Sequence, residues 1–547
     1  MPEREEARTL SRLSPGVSRR SFLGTTGAAA ASLSVSGTAA AGSCSRQDSD
    51  SDVAIKKAST DEVELQSEAP ESESVSDIDY DEVINVVEAG ADNTGGESIT
   101  PLIRDLASSN TLLKFPEGRY LVDEWVRLTG FKNFGMVGEN ATLVPAPASQ
   151  YKGDPIMFKL GVFSNPGRNL EFRNFTVDYT APNTGVRALH AAVSDGLRVE
   201  NVAVEGVHDA GTWGPFKADI VDSDGYGIVK NVEVPEGGVY TKNTAQDIEP
   251  TVKNGPTGFL LSPFHAGRLD VVDSVIGAFP DNGLYDSESP GQVVVKGGRF
   301  ANSNSGNIRI TGDNSGVYGA HVVIDQNRPN DRGQHGVRFD GGKNLTVADT
   351  VIEMTQPNGH GIFTLSSVES ATIENTKIFA GKNDARETIK SIAVRKGAGA
   401  IDIINSEVVQ DHEGPALNIS EGSSPVRVKG LSVSGESTGE TGSREALITH
   451  RDSTEFRGLD VDLPNGSRRR ALGIFSDSVS VLGGTYSSSG LPITVEGSDV
   501  LIKEVTAGAY DGSTVAVDVE SGVAKLVNNK LTNGAAGDII EQGNEYI

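Results

Sequence analysis

The chain has 547 residues, with 64 glycines, few aromatics and a formal charge of −27. That charge excludes nucleic acid as a partner, because phosphate binding needs a basic face. No apolar run is long enough for a mature transmembrane helix, and a single cysteine, Cys44, rules out a disulfide within the chain.

The N-terminal residues 1–43 stand outside the fold. Ser18-Arg19-Arg20-Ser21-Phe22-Leu23 resembles a twin-arginine export signal, and an Ala-rich, weakly apolar stretch follows it to Ala41. Ala41-Gly42-Ser43-Cys44 lies close to a lipobox, which points to lipidation of Cys44; cleavage at a small-residue site would leave no anchor. A lipid there is the one membrane contact expected. Residues 44–81 are rich in Ser, Asp and Glu and poor in apolar residues, the composition of a disordered acidic tether. Localisation outside the cell, free or held at the outer face of the membrane, follows. The acidity fits a halophilic source, with an ordinary acidic secreted protein as the alternative.

Residues 82–150 read as a cap with the first strands. Val83 to Val87 is a strand, and Glu88 to Gly96 is a turn-rich loop. Ser98 to Ala107 is a short helix with Ile99, Leu102, Ile103 and Leu106 on one face. Thr111 to Val122 returns as two strands around Pro116-Glu117-Gly118. This opening, with Phe115-Pro116-Glu117-Gly118-Arg119-Tyr120, resembles that of pectate-lyase-like and polygalacturonase-like proteins. The resemblance implies a right-handed parallel β-helix and a groove that takes polysaccharide.

Residues 151–547 support that fold class by their own pattern. Gly258-Phe-Leu-Leu, Gly283-Leu-Tyr-Asp, Asn307-Ile-Arg-Ile, Gly336-Val-Arg-Phe and Gly361-Ile-Phe-Thr each open a strand of period-two alternation. A second strand follows, as in Leu269 to Asp273 and Ala371 to Asn375. Recurrence at roughly 21 to 30 residues marks a solenoid. The second strand ends on Asn174, Asn201, Asn231, Asp273, Gly297, Asp349, Asn375, Asn405, Gly430, Gly458, Gly483 or Asn528, residue types that tolerate a left-handed corner. Stacked asparagines at such a corner resemble the asparagine ladder of β-helix proteins, and a buried, structural ladder is expected.

Alternation assigns the candidate site. Phe259, Leu284, Ile308, Val337 and Ile362 take the inward place, so Tyr285, Arg309, Arg338 and Phe363 face outward on successive coils, with Asp340 beside them. Asn282, His335 and His360 come just before the strand, and His265 and Asp281 flank the patch. Like charges one rung apart destabilise a sheet, so Arg309 and Arg338 in register suggest an anion between them. Insertions at Asp325 to Gln334, Lys382 to Lys390 and Glu436 to Arg444 would wall a groove on this face.

The chemistry that fits is uronate β-elimination on an acidic polysaccharide. Arg309 and Arg338 would pair the carboxylate, His335 or His360 would act as base, and Tyr285 would donate to the leaving oxygen. A non-catalytic glycan-binding or adhesin role is the alternative, favoured by the tether. A hydrolase is a third reading. Gly359-His360-Gly361-Ile362 and Arg395-Lys396 resemble two polygalacturonase motifs, but that family's Asn-Thr-Asp and paired aspartates are missing here. Only Asp340, Asp286 and Asp331 stand near enough to serve as its acid and base. No cofactor is required; Ca²⁺ would need a cluster such as Asp219, Asp222 and Asp224, which a plain turn also explains.

Overall fold

The computed structural model describes residues 69–72, 75, 77–244, 255–383 and 389–547. The chain divides into two units, residues 1–65 and 66–547. The export signal, Cys44 and most of the tether lie outside the described residues. Residues 82–547 form a right-handed parallel β-helix. Its ladders pair each strand with the equivalent strand one coil later, always in parallel.

From Phe259 to Ser434 each coil has three strands, one more than spacing suggests; toward either end the second and third run on as one bent strand, as in Arg168–Asp178 and Thr454–Leu463. First strands include Phe259–Leu261, Asn282–Asp286, Gly306–Ile310, Val337–Phe339 and Ile362–Thr364. Second strands include Arg268–Val272, Gln292–Lys296 and Ser370–Glu374. Third strands, such as Arg299–Ala301, His321–Val323 and Lys377–Ala380, begin after a break of two residues. So short a break leaves no loop composition to betray the bend.

The corner between second and third strands is where a left-handed residue is needed. All twelve positions named from the sequence have positive φ, from Asn405 at 46° to Gly483 at 66°, and Asn140 (56°), Gly319 (63°) and Glu504 (59°) hold the same corner on other coils. Asn231 Nδ2 donates to Asn201 Oδ1 at 3.0 Å, and Asn201 Nδ2 to Asn174 Oδ1 at 3.0 Å. These three side chains are exposed, so the ladder runs on the outside of the corner and not in the interior as expected. The buried polar row comes from the next residue. Thr376 Oγ1 donates to the Glu374 carbonyl at 2.9 Å, and Ser406 Oγ to that of Ile404 at 3.0 Å. The Thr376 N–H in turn donates to Ser406 Oγ at 3.2 Å. Hydroxyls there satisfy backbone groups that the bend removes from the ladder.

The N-terminal end is closed by helix α1 (Thr100–Leu106), which buries Ile99 and Ile103 and packs Leu102 and Leu106 against the first coil. Covering the end keeps strand edges from pairing with another chain. Below it Phe115, Phe175 and Phe172 form a chain of ring contacts at 5.3 and 4.9 Å. Phe259, Leu284, Ile308, Val337, Ile362 and Ile392 stack in register and are at most 2% exposed, which fixes the pleat of the first-strand sheet.

Candidate functional site: a cationic groove on the first-strand face

With the inward column settled, the outward column follows. Tyr285 pairs with Arg309, Arg309 with Arg338, and Arg338 with Phe363. The Arg309 guanidinium lies 4.2 Å from the Tyr285 ring centre, and Arg338 lies 5.9 Å from that of Phe363. Asp340 sits between the arginines, 2.6 Å from Arg309 Nη2 and 2.6 Å from Arg338 Nε. An internal carboxylate thus occupies the place where the sequence suggests a ligand anion. The repulsion between stacked arginines is already relieved, and the trio keeps one net positive charge.

His335 and His360 stack one rung apart, their rings 5.2 Å from each other and 4.7 and 4.8 Å from Phe363. His335 Nδ1 accepts the His360 N–H at 2.9 Å, and His360 Nδ1 accepts the Lys390 N–H at 3.1 Å. Both rings therefore carry their proton on Nε2. Burial, with His360, Arg338 and Arg309 nearby, holds His335 well below the ordinary imidazole range. Burial and then Lys390 lower His360 to about 3. With Nδ1 bonded and Nε2 protonated, neither histidine has a free lone pair for a C5 proton. The role of base expected for them does not suit this geometry; each can instead donate from Nε2–H.

His265 does not reach the groove. It is fully buried, accepting the Ile220 N–H at Nδ1 at 3.1 Å and facing the Gln292 carbonyl with Nε2 at 3.3 Å, so it ties three coils together. Asp281 is partly covered, with Thr257 Oγ1 donating to it at 2.9 Å, and burial raises its carboxyl. Asn282 is the first residue of its strand, is fully buried and presents nothing to solvent. The carboxylates of the hydrolytic reading do not face one another. Asp286 is fully buried, and Asp331 is held by Arg328 at 3.0 Å and by Tyr240 Oη at 2.5 Å. The three aspartates considered for Ca²⁺ do not converge either. Asp219 is buried, accepting from Ser262 N–H and Oγ at 2.7 Å each, while Asp222 and Asp224 are exposed. Among the described residues no group of three His, Cys, Asp or Glu side chains could hold a metal.

The walls come from insertions leaving one corner, between a third strand and the next first strand. The insertion from Asp325 is pinned by Arg328, which donates to the Ala278 and Phe279 carbonyls at 2.8 Å each and stacks 5.2 Å from the Tyr240 ring. A further insertion, residues 235–258, is not anticipated above; the distance from Val234 to Phe259 was the signal for it. Tyr240 and Lys242 of this insertion and Asn330, Arg332 and Gly333 of the other line a pocket of about 490 Å³ together with Asn304, His335 and Arg338, with no carboxylate among the lining residues. Lys242 is held by Asn330 Oδ1 at 2.5 Å. Arg332, and Arg395 farther along the groove, are exposed and have no carboxylate partner among the described residues.

No family model and no curated protein sequence matches the chain. Solved structures resemble it in backbone path. The surface adhesin PfbA of Streptococcus pneumoniae shares 12% identity at TM-score 0.34, over 85% of this chain and 93% of that one. The catalytic unit of a GH87 alpha-1,3-glucanase from Streptomyces thermodiastaticus shares 14% at TM-score 0.27, over 84% and 68%. The A-module of the mannuronan C-5 epimerase AlgE4 of Azotobacter vinelandii shares 11% at TM-score 0.23, over 85% and 97%. Similarity of this degree concerns the course of the chain and not its chemistry.

Proposed function

We propose that the protein is exported and that its first-strand groove binds an acidic polysaccharide. The observation that carries this reading is the pocket lined by Lys242, Arg332 and Arg338 without a carboxylate, on a chain of net charge −27. Such a pocket concentrates positive potential against the field of the whole molecule. Planar guanidinium groups match a carboxylate or sulfate ester with two parallel hydrogen bonds, while Asn304 and the histidine N–H groups suit sugar hydroxyls. Retention of the purified protein on immobilised uronate, sulfated and neutral glycans tests it. Binding to the acidic polymers that is lost in R332A/R338A is the expected result; equal retention on neutral glucan, or unchanged binding by the variant, overturns it.

A second reading, uronate β-elimination, is supported by the Arg309 guanidinium lying against the Tyr285 ring. Cations beside the sugar carboxylate would acidify the C5 proton. Tyr285 would take that proton on its oxygen as its own hydroxyl proton passes to the departing O4, so that the C4–O bond breaks and a C4=C5 double bond forms. The ultraviolet absorbance of that unsaturated product, present with wild type and absent with Y285F, is the measurement. Binding without absorbance leaves a glycan-binding surface protein.

A further inference from the structure

The segment preceding the first strand lies on the flank of the helix, over the second-strand face. The Glu71 carbonyl accepts from Arg268 Nη2 at 2.8 Å, and Ser72 Oγ from Lys296 Nζ at 2.7 Å. Arg198 Nη1 lies 3.8 Å from Asp77 Oδ1, and Asn133 Nδ2 donates to the Asp79 carbonyl at 3.4 Å. Tyr80 fits over Gly135, where a Cβ would come within 2.5 Å of its hydroxyl oxygen. Read from Ser72 to Tyr80, these contacts step back along the coils toward the cap.

Two further observations agree. Glu171, Asp270 and Val294 stand on the outward side of second strands, yet they are 4%, 0% and 0% exposed. Asp270 is closed in by Arg268 at 2.8 Å and Lys296 at 2.9 Å, the same two side chains that hold Glu71 and Ser72. The distances also close. Seven pairings separate the rung of Glu82 from that of Lys296, about 34 Å at ~4.8 Å per rung. The ten residues from Ser72 to Glu82 reach about 33 Å when extended.

We propose that the end of the acidic linker, at Glu71 and Ser72 and from Asp77 to Tyr80, is strapped along this flank, so that the chain joins the helix at its side, at the rung of Lys296, and not at its capped end. The mount is Arg268 and Lys296 seated on Asp270, with Tyr80 over Gly135 as the second point. A pull from upstream then acts near the midpoint of the helix, and releasing the strap moves the attachment point by seven rungs.

Spin labels at E71C, which keeps the Glu71 carbonyl and the Ser72 hydroxyl in place, and at K429C in the full chain carrying C44S test this by dipolar distance measurement. Lys429 stands on the second-strand face five rungs beyond Lys296, about 24 Å away at ~4.8 Å per rung. One narrow distance distribution near that value, broadened in R268E/K296E and in Y80A, is the expected result. A broad distribution without those substitutions, or one left narrow by both, overturns the proposal. Far-ultraviolet circular dichroism identifies a variant whose helix has unfolded; should the charge reversal unfold it, Y80A alone decides.

Discussion

Asp340 is the residue on which the groove's charge turns. It bridges two guanidinium groups that would otherwise repel across one rung, and with side chains only 11 to 20% exposed the trio is poorly screened. D340N should therefore lower stability by about 2 kcal/mol, read by urea denaturation at low salt, and strengthen retention of acidic glycans several-fold. A loss of stability with weaker retention would mean that Asp340 holds the arginines in their binding geometry. A second residue, Asp286, is a buried carboxyl whose Oδ2 accepts the Thr311 N–H at 3.1 Å. Burial pushes it up to about 7 from an ordinary 3.8. A raised carboxyl favours the folded state fully below pH 3.8, and that contribution is lost as pH rises through 7. D286N should thus raise the melting temperature at pH 8 more than at pH 4. His360, lowered from 6.5 to about 3, acts in the opposite direction, its contribution fading as pH falls from 6.5 toward 3.

At the scale of the element, corners set the register. The second strand turns into the third through a left-handed residue, and an ordinary L-residue in that conformation costs roughly 1–2 kcal/mol. N231A should destabilise the helix by about 2 kcal/mol in urea, the corner strain together with the lost bond to Asn201; N231G should restore most of it. Wider corners are held differently. Arg451, fully buried, donates to the carbonyls of Ser420, Ala398 and Arg395 at 2.9, 2.8 and 3.1 Å, closing a loop without any carboxylate. Arg328, half-buried at the groove wall, also binds the Ala278 and Phe279 carbonyls but pairs with Asp331 as well. Buried guanidinium groups stitch carbonyls of neighbouring coils that no strand can satisfy.

At the scale of the whole molecule, the chain carries a net charge of −27, and self-repulsion opposes the compact state until salt screens it. The melting temperature should rise from 0.1 M to about 2 M KCl, where the Debye length falls to a few ångströms; a flat or falling curve would argue against a surface adapted to salt. The same rise in salt should weaken retention on acidic glycans, since those contacts are charge pairs. Stability and binding therefore respond to salt in opposite directions.

How much of this is legible without coordinates divides along a physical line. Period-two alternation and left-handed tolerance are local properties of a few consecutive residues, so the coil repeat, the inward column from Phe259 to Ile392 and the corner positions can be read directly from the chain. So can the juxtaposition of Tyr285, Arg309, Arg338 and Phe363, which follows from register alone. What faces an outward side chain is not local. Whether Arg309 meets a ligand or Asp340, which nitrogen of His335 is engaged, and that Asp270 lies beneath Glu71 and Ser72 depend on segments many residues away. Pleat and corner were determined by sequence; covering, charge pairing and protonation were decided by tertiary structure, because only the folded chain brings those distant groups within bonding distance.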